Sequence, residues 1–181
     1  MRKVIASMNI TLDGFCDHTA GIPDEQLHDH YTDLLNNAGT LLYGRTTYEL
    51  MESYWPNLVV NPSGEKSMDD FALAIDRVEK VVFSHSLNSV NWKTARLAKR
   101  ELKEEVEDLK TQPGNDIFVG SPSLISALTN LGLIDEFQLC VHPVIIEKGL
   151  QLFKDIKERM VLKLTRTKTF DSGVILLCYE P

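Results

Sequence analysis

LLYGRTTYE, residues 41–49, joins an apolar, strand-like run to a glycine and then to residues suited to a helix start. With Thr40 in front, residues 40–43 read as a buried strand, and Thr46, Tyr48, Leu50 and Met51 carry a helix away from Gly44. A glycine there lets the backbone turn tightly. The helix beyond it offers unpaired N–H groups and the positive end of its dipole. Arg45 adds a formal charge, and Thr46 or Thr47 adds a hydroxyl donor. The segment suits a phosphate; equally, a threonine can cap the helix while Arg45 stays in solvent.

The same arrangement recurs downstream. Residues 116–119 (DIFV) read as a buried strand, Gly120 opens a turn, and a helix runs over about residues 123–131. The plain reading of GSPS, residues 120–123, is a serine cap with proline at the first helical position. Two such turns on parallel strands place two anion-binding helix ends on one edge of a sheet, where open α/β sheets bind ligands. Neither is a P-loop, since no lysine follows in the GKS or GKT position, and neither matches GxGxxG.

Around these units the chain reads as a strand at residues 3–8, a turn at 11–14, and an amphipathic helix from Pro23, Asp24 and Glu25 that carries Leu27, Tyr31, Leu34 and Leu35. A helix is expected over residues 66–76 and a strand over 80–84. Residues 95–110 predict a surface helix with Leu97, Leu102, Val106 and Leu109 on one face. A strand at 137–141 and extended runs at 161–170 and 174–179, flanking Asp171, Ser172 and Gly173, predict a closing β-hairpin. The expected fold is α/β: a mixed, mostly parallel sheet with an antiparallel edge, in one domain over residues 1–181.

Hydrophobic residues make up 43% and charged residues 25%, the balance of an ordinary globular protein, and the formal net charge is −7. That charge disfavours nucleic acid and anionic membranes as partners and points to a small-molecule ligand. The start, MRKVIASMNITLDG, breaks its apolar stretch at Asn9, Thr11 and Asp13 and does not read as a signal peptide. Cys16, Cys140 and Cys178 lie far apart, without metal-site spacing, and fit reduced thiols in the cytoplasm.

The ordered set TLDG (11–14), LLYGRTTYE (41–49), KVVFS (80–84), DIFVGSPSLISAL (116–128), GLIDEFQLCVHPVI (132–145) and FDSGVILLCYE (170–180) resembles the dihydrofolate-reductase-like family. It is most similar to stand-alone proteins related to the reductase domain of the bifunctional riboflavin-biosynthesis deaminase-reductase. The resemblance spans nearly the whole chain. It implies a three-layer fold with helices on both faces of the sheet, an NADPH-dependent reductase acting on a pyrimidine- or pteridine-like ring, and a homodimer. By position, Gly44, Arg45, Thr46 and Thr47 fall at the family's first phosphate turn. Ser84 falls at the adenosine end, and Gly120, Ser121, Ser123 and Leu124 fall at the second turn. Asp13 matches the acid of the loop over the active site; as a plain reading, Asp13 and Gly14 form a turn after the first strand.

Two departures bear on the substrate. Where a true dihydrofolate reductase has a helix carboxylate, this chain has a slot near His28, with Asp29, Glu25 and Asp24 beside it, so dihydrofolate reduction is not expected. Asp13, His28 and Asp29 are each candidates for the proton source. After His142 and Pro143, Glu147 and Lys148 stand where the family has small residues. Tyr54 and Trp55 can wall a pocket for a planar ring or belong to the core. The alternative to an enzyme is a reductase-fold protein that binds a nucleotide or partner without turnover.

Overall fold

The computed structural model describes all residues 1–181. Six strands run parallel: β1 (Val4–Thr11), β2 (Thr40–Gly44), β3 (Glu79–Phe83), β4 (Ala95–Leu97), β5 (Ile117–Val119) and β6 (Glu136–His142). The strands β7 (Lys163–Thr169) and β8 (Ile175–Glu180) add an antiparallel edge, giving one sheet in the order β4-β3-β2-β5-β1-β6-β8-β7. The helices are α1 (Glu25–Asn36), α2 (Arg45–Glu52), α3 (Trp55–Val60), α4 (Lys66–Arg77), α5 (Leu102–Thr111) and α6 (Pro122–Asn130).

The central strands are apolar along their length because both of their faces are covered. On one face Leu35 of α1 and Phe71, Ala74 and Ile75 of α4 pack against Ile5, Leu41, Tyr43, Val82 and Phe118. On the other, Val106 and Leu109 of α5 and Leu124, Ile125 and Leu128 of α6 pack against Val4, Ala6, Leu42, Val81 and Val119. This is the expected three-layer α/β arrangement with its terminal hairpin. Gly173 takes the left-handed φ of 83° at the hairpin turn.

The expected helix over 95–110 divides in two. Residues 95–97 instead extend the sheet as β4, pairing Ala95 with Lys80 and Leu97 with Val82, and only α5 is helical. The apolar stripe misled because it is split across the sheet: Leu97 packs with the α4 side, and Leu102, Val106 and Leu109 pack with the α5 side. An open edge of β3 needed a partner, and that tertiary demand overrode the local periodicity. At the other border β7 leaves every residue exposed, with Lys163, Arg166 and Lys168 along it.

Lys80 is buried beneath the C-terminal end of α4. Its Nζ donates to the carbonyls of Ile75 and Asp76 and to Oγ1 of Thr94, and it stands 3.9 Å from the centre of a Trp92 ring. Trp92 in turn donates Nε1–H to Asp76 at 2.6 Å. The ammonium therefore serves helix carbonyls that have no intrahelical donor. Burial pushes the Lys80 pKa from 10.5 down to about 7, against the pull of Asp76. Between those values the unfolded chain binds a proton that the folded chain has shed, so stability rises with pH across this window and the gain is lost as pH falls through 7. Urea midpoints at pH 6.5 and pH 9 should rise more for the wild type than for Lys80→Met. Parallel pH profiles would mean that the buried ammonium keeps its proton throughout.

Candidate functional site

Because β2 and β5 are neighbours, the turns that follow them adjoin. The Gly44 N–H donates to Oγ of Ser121 at 2.9 Å, and Ser121 is fully buried. A Cβ on Gly44 would stand 3.5 Å from Oγ of Ser123 and 3.8 Å from Oγ of Ser121. Gly44 itself has φ −77° and ψ 166°, which any residue adopts. The tight-turn expectation is corrected accordingly: glycine here keeps the space between two serine hydroxyls open. A Cβ on Gly120 would stand 3.7 Å from the Tyr43 ring and 3.9 Å from the Ser7 carbonyl.

Both helices that leave these turns start without a side-chain cap. Gly44 is the N-cap of α2 and Ser121 that of α6, and neither helix receives a side-chain hydrogen bond there. The first-turn N–H groups of two helices thus remain open side by side. Thr46, exposed, and Thr47, half-buried, lie within the first turn of α2, and neither caps it. Arg45 is half-exposed and only loosely paired with Glu49, at 3.9 Å. Ser123 is exposed, and Leu124 is buried in the core under α6. Ser84 accepts from the amides of Ser86 and Leu87 at 3.2 and 3.0 Å and shapes the turn after β3. Tyr48 fastens the next segment to α2, its hydroxyl accepting from the amides of Asn91 and Trp92 at 2.9 and 3.2 Å.

Beside these turns the sheet splits. Strand β1 pairs with β5 only over residues 4–6 but with β6 over residues 5–11. The Lys3 carbonyl accepts from Ile117 and the Val4 carbonyl from Asp135, so odd-numbered backbone groups of β1 turn toward β5 and even-numbered ones toward β6. By Asn9 no strand lies opposite on the β5 side. The sheet is therefore notched on this side, where β1 beyond Ala6 has no strand partner toward the Gly120 turn and Tyr31 of α1 reaches it at Asn9.

A polar group that the sequence reading passed over lies at this notch. The Tyr31 hydroxyl donates to Oδ1 of Asn9 at 3.1 Å, and Nε2 of His142 lies 3.0 Å from the same oxygen. The Ile22 N–H donates to Nδ1 of His142 at 3.1 Å. Burial lowers the His142 pKa, with Asp24 pulling the other way, and burial raises that of Tyr31 well above the ordinary phenol value. The available signal was Ser7, Asn9 and Thr11, polar residues alternating along an otherwise apolar strand.

The acid candidates sit in different places. Asp13 accepts from the Thr11 hydroxyl at 2.6 Å through Oδ1, and from the amides of Ile146 and Glu147 at 3.2 and 2.9 Å through Oδ2. Its pKa is lowered, chiefly by the Thr11 bond. The carboxylate thus ties the loop after β1 to the segment after β6, where Glu147 takes a φ of 69° that a glycine would adopt without strain. His28 lines a shallow cleft between the starts of α1 and α4, with Glu65 and Lys66 opposite. Asp29 lies further along the groove between the same helices. Asp24 is the N-cap of α1, accepting from Leu27 at 2.7 Å and from Ser172 at 2.8 Å. Trp55 packs on Phe71, ring centres 4.3 Å apart, and Tyr54 stands half-exposed at its edge.

No helix is long and apolar enough to cross a membrane. Among curated proteins the chain is 38% identical over 183 residues to the uncharacterized protein YyaP of Bacillus subtilis (strain 168), covering 99% of this chain and 95% of that one. It is 26% identical over 182 residues to the uncharacterized protein YwjB of the same organism, covering 97% and 96%. Among solved structures, a putative riboflavin biosynthesis protein from Shewanella sp. PV-4 superposes with a TM-score of 0.76 at 16% identity, with 98% of each chain covered. A pyrimidine reductase-like protein from Corynebacterium diphtheriae gives 0.68 at 15% identity, covering 99% of this chain and 91% of that one. The deaminase/5-amino-6-(5-phosphoribosylamino)uracil reductase from Thermotoga maritima gives 0.67 at 17% identity, and 99% of this chain spans 56% of that longer protein. These structures share its fold, and the sequence matches the family described as the RibD C-terminal domain over residues 2–176. The chain belongs to the RibD C-terminal domain family.

Proposed function

We propose that this protein is an NADPH-dependent reductase that transfers a hydride to a small pyrimidine- or pteridine-like ring, similar to 5-amino-6-(5-phosphoribosylamino)uracil reductase. The observation that carries this reading is the pair of uncapped helix starts, α2 and α6, held side by side by the bond from Gly44 to Ser121 next to the notch in the sheet. The donor set fits a cofactor with several phosphates: first-turn amides of two helices, the hydroxyls of Thr46, Thr47 and Ser123, and the loosely held Arg45. In this reading Gly44, Arg45, Thr46 and Thr47 hold one phosphate. Gly120 and Ser123 line the pyrophosphate and nicotinamide side, backed by the buried Ser121 and Leu124, and Ser84 meets the adenosine end.

The bound nicotinamide supplies the hydride. The chain's own task is to position the acceptor ring, exclude water and deliver a proton. Among Asp13, His28 and Asp29, the His28 imidazole opens onto the cleft at the start of α1, whereas both Asp13 oxygens are engaged. In this reading the segment that Asp13 ties down through the amides of Ile146 and Glu147 covers the site. The reading includes a homodimer, supported by Ile145, Leu150, Phe153 and Val161, whose apolar side chains stand in solvent after β6. It also includes a cytoplasmic setting, supported by three free thiols.

The engagement of Asp13 favours a second reading, a protein of the same fold that binds the nucleotide without turnover. The two differ in one measurement: on that reading NADPH binds but is not oxidised with any pyrimidine or pteridine offered.

Fluorescence or calorimetric titration tests cofactor binding, and absence of binding at millimolar NADPH would remove both readings. Arg45→Ala should weaken NADPH by roughly tenfold or more through loss of a charge-assisted bond. Gly44→Ala should fold with stability within about 1 kcal/mol of wild type, its methyl meeting only ordinary contacts, yet bind NADPH poorly because the methyl fills the space between the serines. Ser121→Ala, by contrast, leaves the Gly44 N–H without its acceptor and should lower unfolding stability by about 1–3 kcal/mol in urea titration.

A further inference from the structure

The polar groups between β1 and α1 form a chain of hydrogen bonds that begins at a backbone amide and ends at an unpartnered side-chain donor. A backbone N–H can only donate, so Nδ1 of His142 must present a lone pair to Ile22. His142 is 3% exposed, and its lowered pKa keeps the ring neutral at neutral pH. The ring proton therefore sits on Nε2, which donates to Oδ1 of Asn9. Tyr31, held as a neutral phenol, donates to the same oxygen. Turning the Asn9 amide over would set its NH2 against the Nε2–H donor. The orientation of this amide is thus imposed by Ile22, two links away.

What remains is the Asn9 NH2, which makes no hydrogen bond within the protein, on an exposed residue in the part of β1 that has left β5 behind. A second observation points to a ligand in the same place. Ser7, two residues earlier on the same face and 9% exposed, has a hydroxyl with no well-formed hydrogen bond, its one neighbour of that kind being the Tyr31 phenol oxygen of the same chain of groups. Its carbonyl borders the Gly120 turn.

We propose that Asn9 is a specificity-determining residue of the substrate pocket, its NH2 donating to an exocyclic carbonyl oxygen on the planar ring bound there. Two donors behind the amide leave it unable to present an acceptor, so a ring bearing an amino group at that position meets donor against donor. An unpaired polar contact of this kind gives strong discrimination. The inference rests on reading the notch beside β1 as a reductase's substrate site.

The test uses two probes: 5,6-diaminouracil, which carries ring carbonyls, and 2,4,5,6-tetraaminopyrimidine, which carries amino groups in their place. Each is titrated with and without NADPH. Wild type should bind the dione at least tenfold more tightly. Asn9→Asp keeps an acceptor for Tyr31 and His142 but removes the donor, so it should lose or reverse that preference while its NADPH affinity stays within about twofold. In 1H–15N spectra the Asn9 side-chain NH2 pair, identified by its absence in Asn9→Asp, should shift when the dione is added. An unmoved pair, equal affinities in wild type, or an unchanged preference in the variant would overturn the assignment. Failure of NADPH to bind would instead overturn the reductase reading, and the preference between the two rings is still measured on the cofactor-free protein.

Discussion

The pairing of β1 governs the rest of the molecule. Its neighbour β5 is three residues long because Gly120 and Pro122 end it, the latter without an N–H to give. Its other neighbour β6 runs seven residues and carries β1 on to Thr11. One strand between a short partner and a long one must lose contact on one side first. A parallel sheet that would otherwise be continuous therefore opens at the edge where its strands end, and the two glycine turns border the opening. The loop after β1 is then fastened across to the segment after β6 through Asp13.

Helix ends are treated in opposite ways across the fold. The carbonyl end of α4 is closed by the buried amine of Lys80, with Trp92 and Thr94 around it. The amide ends of α2 and α6 receive nothing from the protein. Within a chain of formal net charge −7, these open amides concentrate positive potential at one spot, where long-range attraction would not bring an anion.

The layered α/β fold and both strand, glycine and helix units were legible in the sequence because they rest on local signals: buried apolar runs, turn residues and helix starts. Asp24 as the start of α1 and the hairpin at Gly173 belong to the same class. The function of Gly44 was less legible, since whether a glycine serves its own dihedral angles or a neighbour 77 residues away depends on strand order. The stripe from Leu97 to Leu109 failed for a similar reason, because the two halves of one apparent face lie on opposite sides of the sheet. The group formed by Asn9, Tyr31 and His142 draws on three distant elements, and only the alternation of polar residues on β1 hinted at it.

The exposed strand β7 carries three cations on the border of an acidic molecule. A free strand edge is a template on which a second chain can extend the sheet. Were another copy to bring up its own β7, lysines and an arginine would meet like charges as the two edges came within hydrogen-bonding distance. The sheet therefore ends in a border that is polar, positively charged and resistant to growth, which keeps eight strands from becoming the first layer of an aggregate.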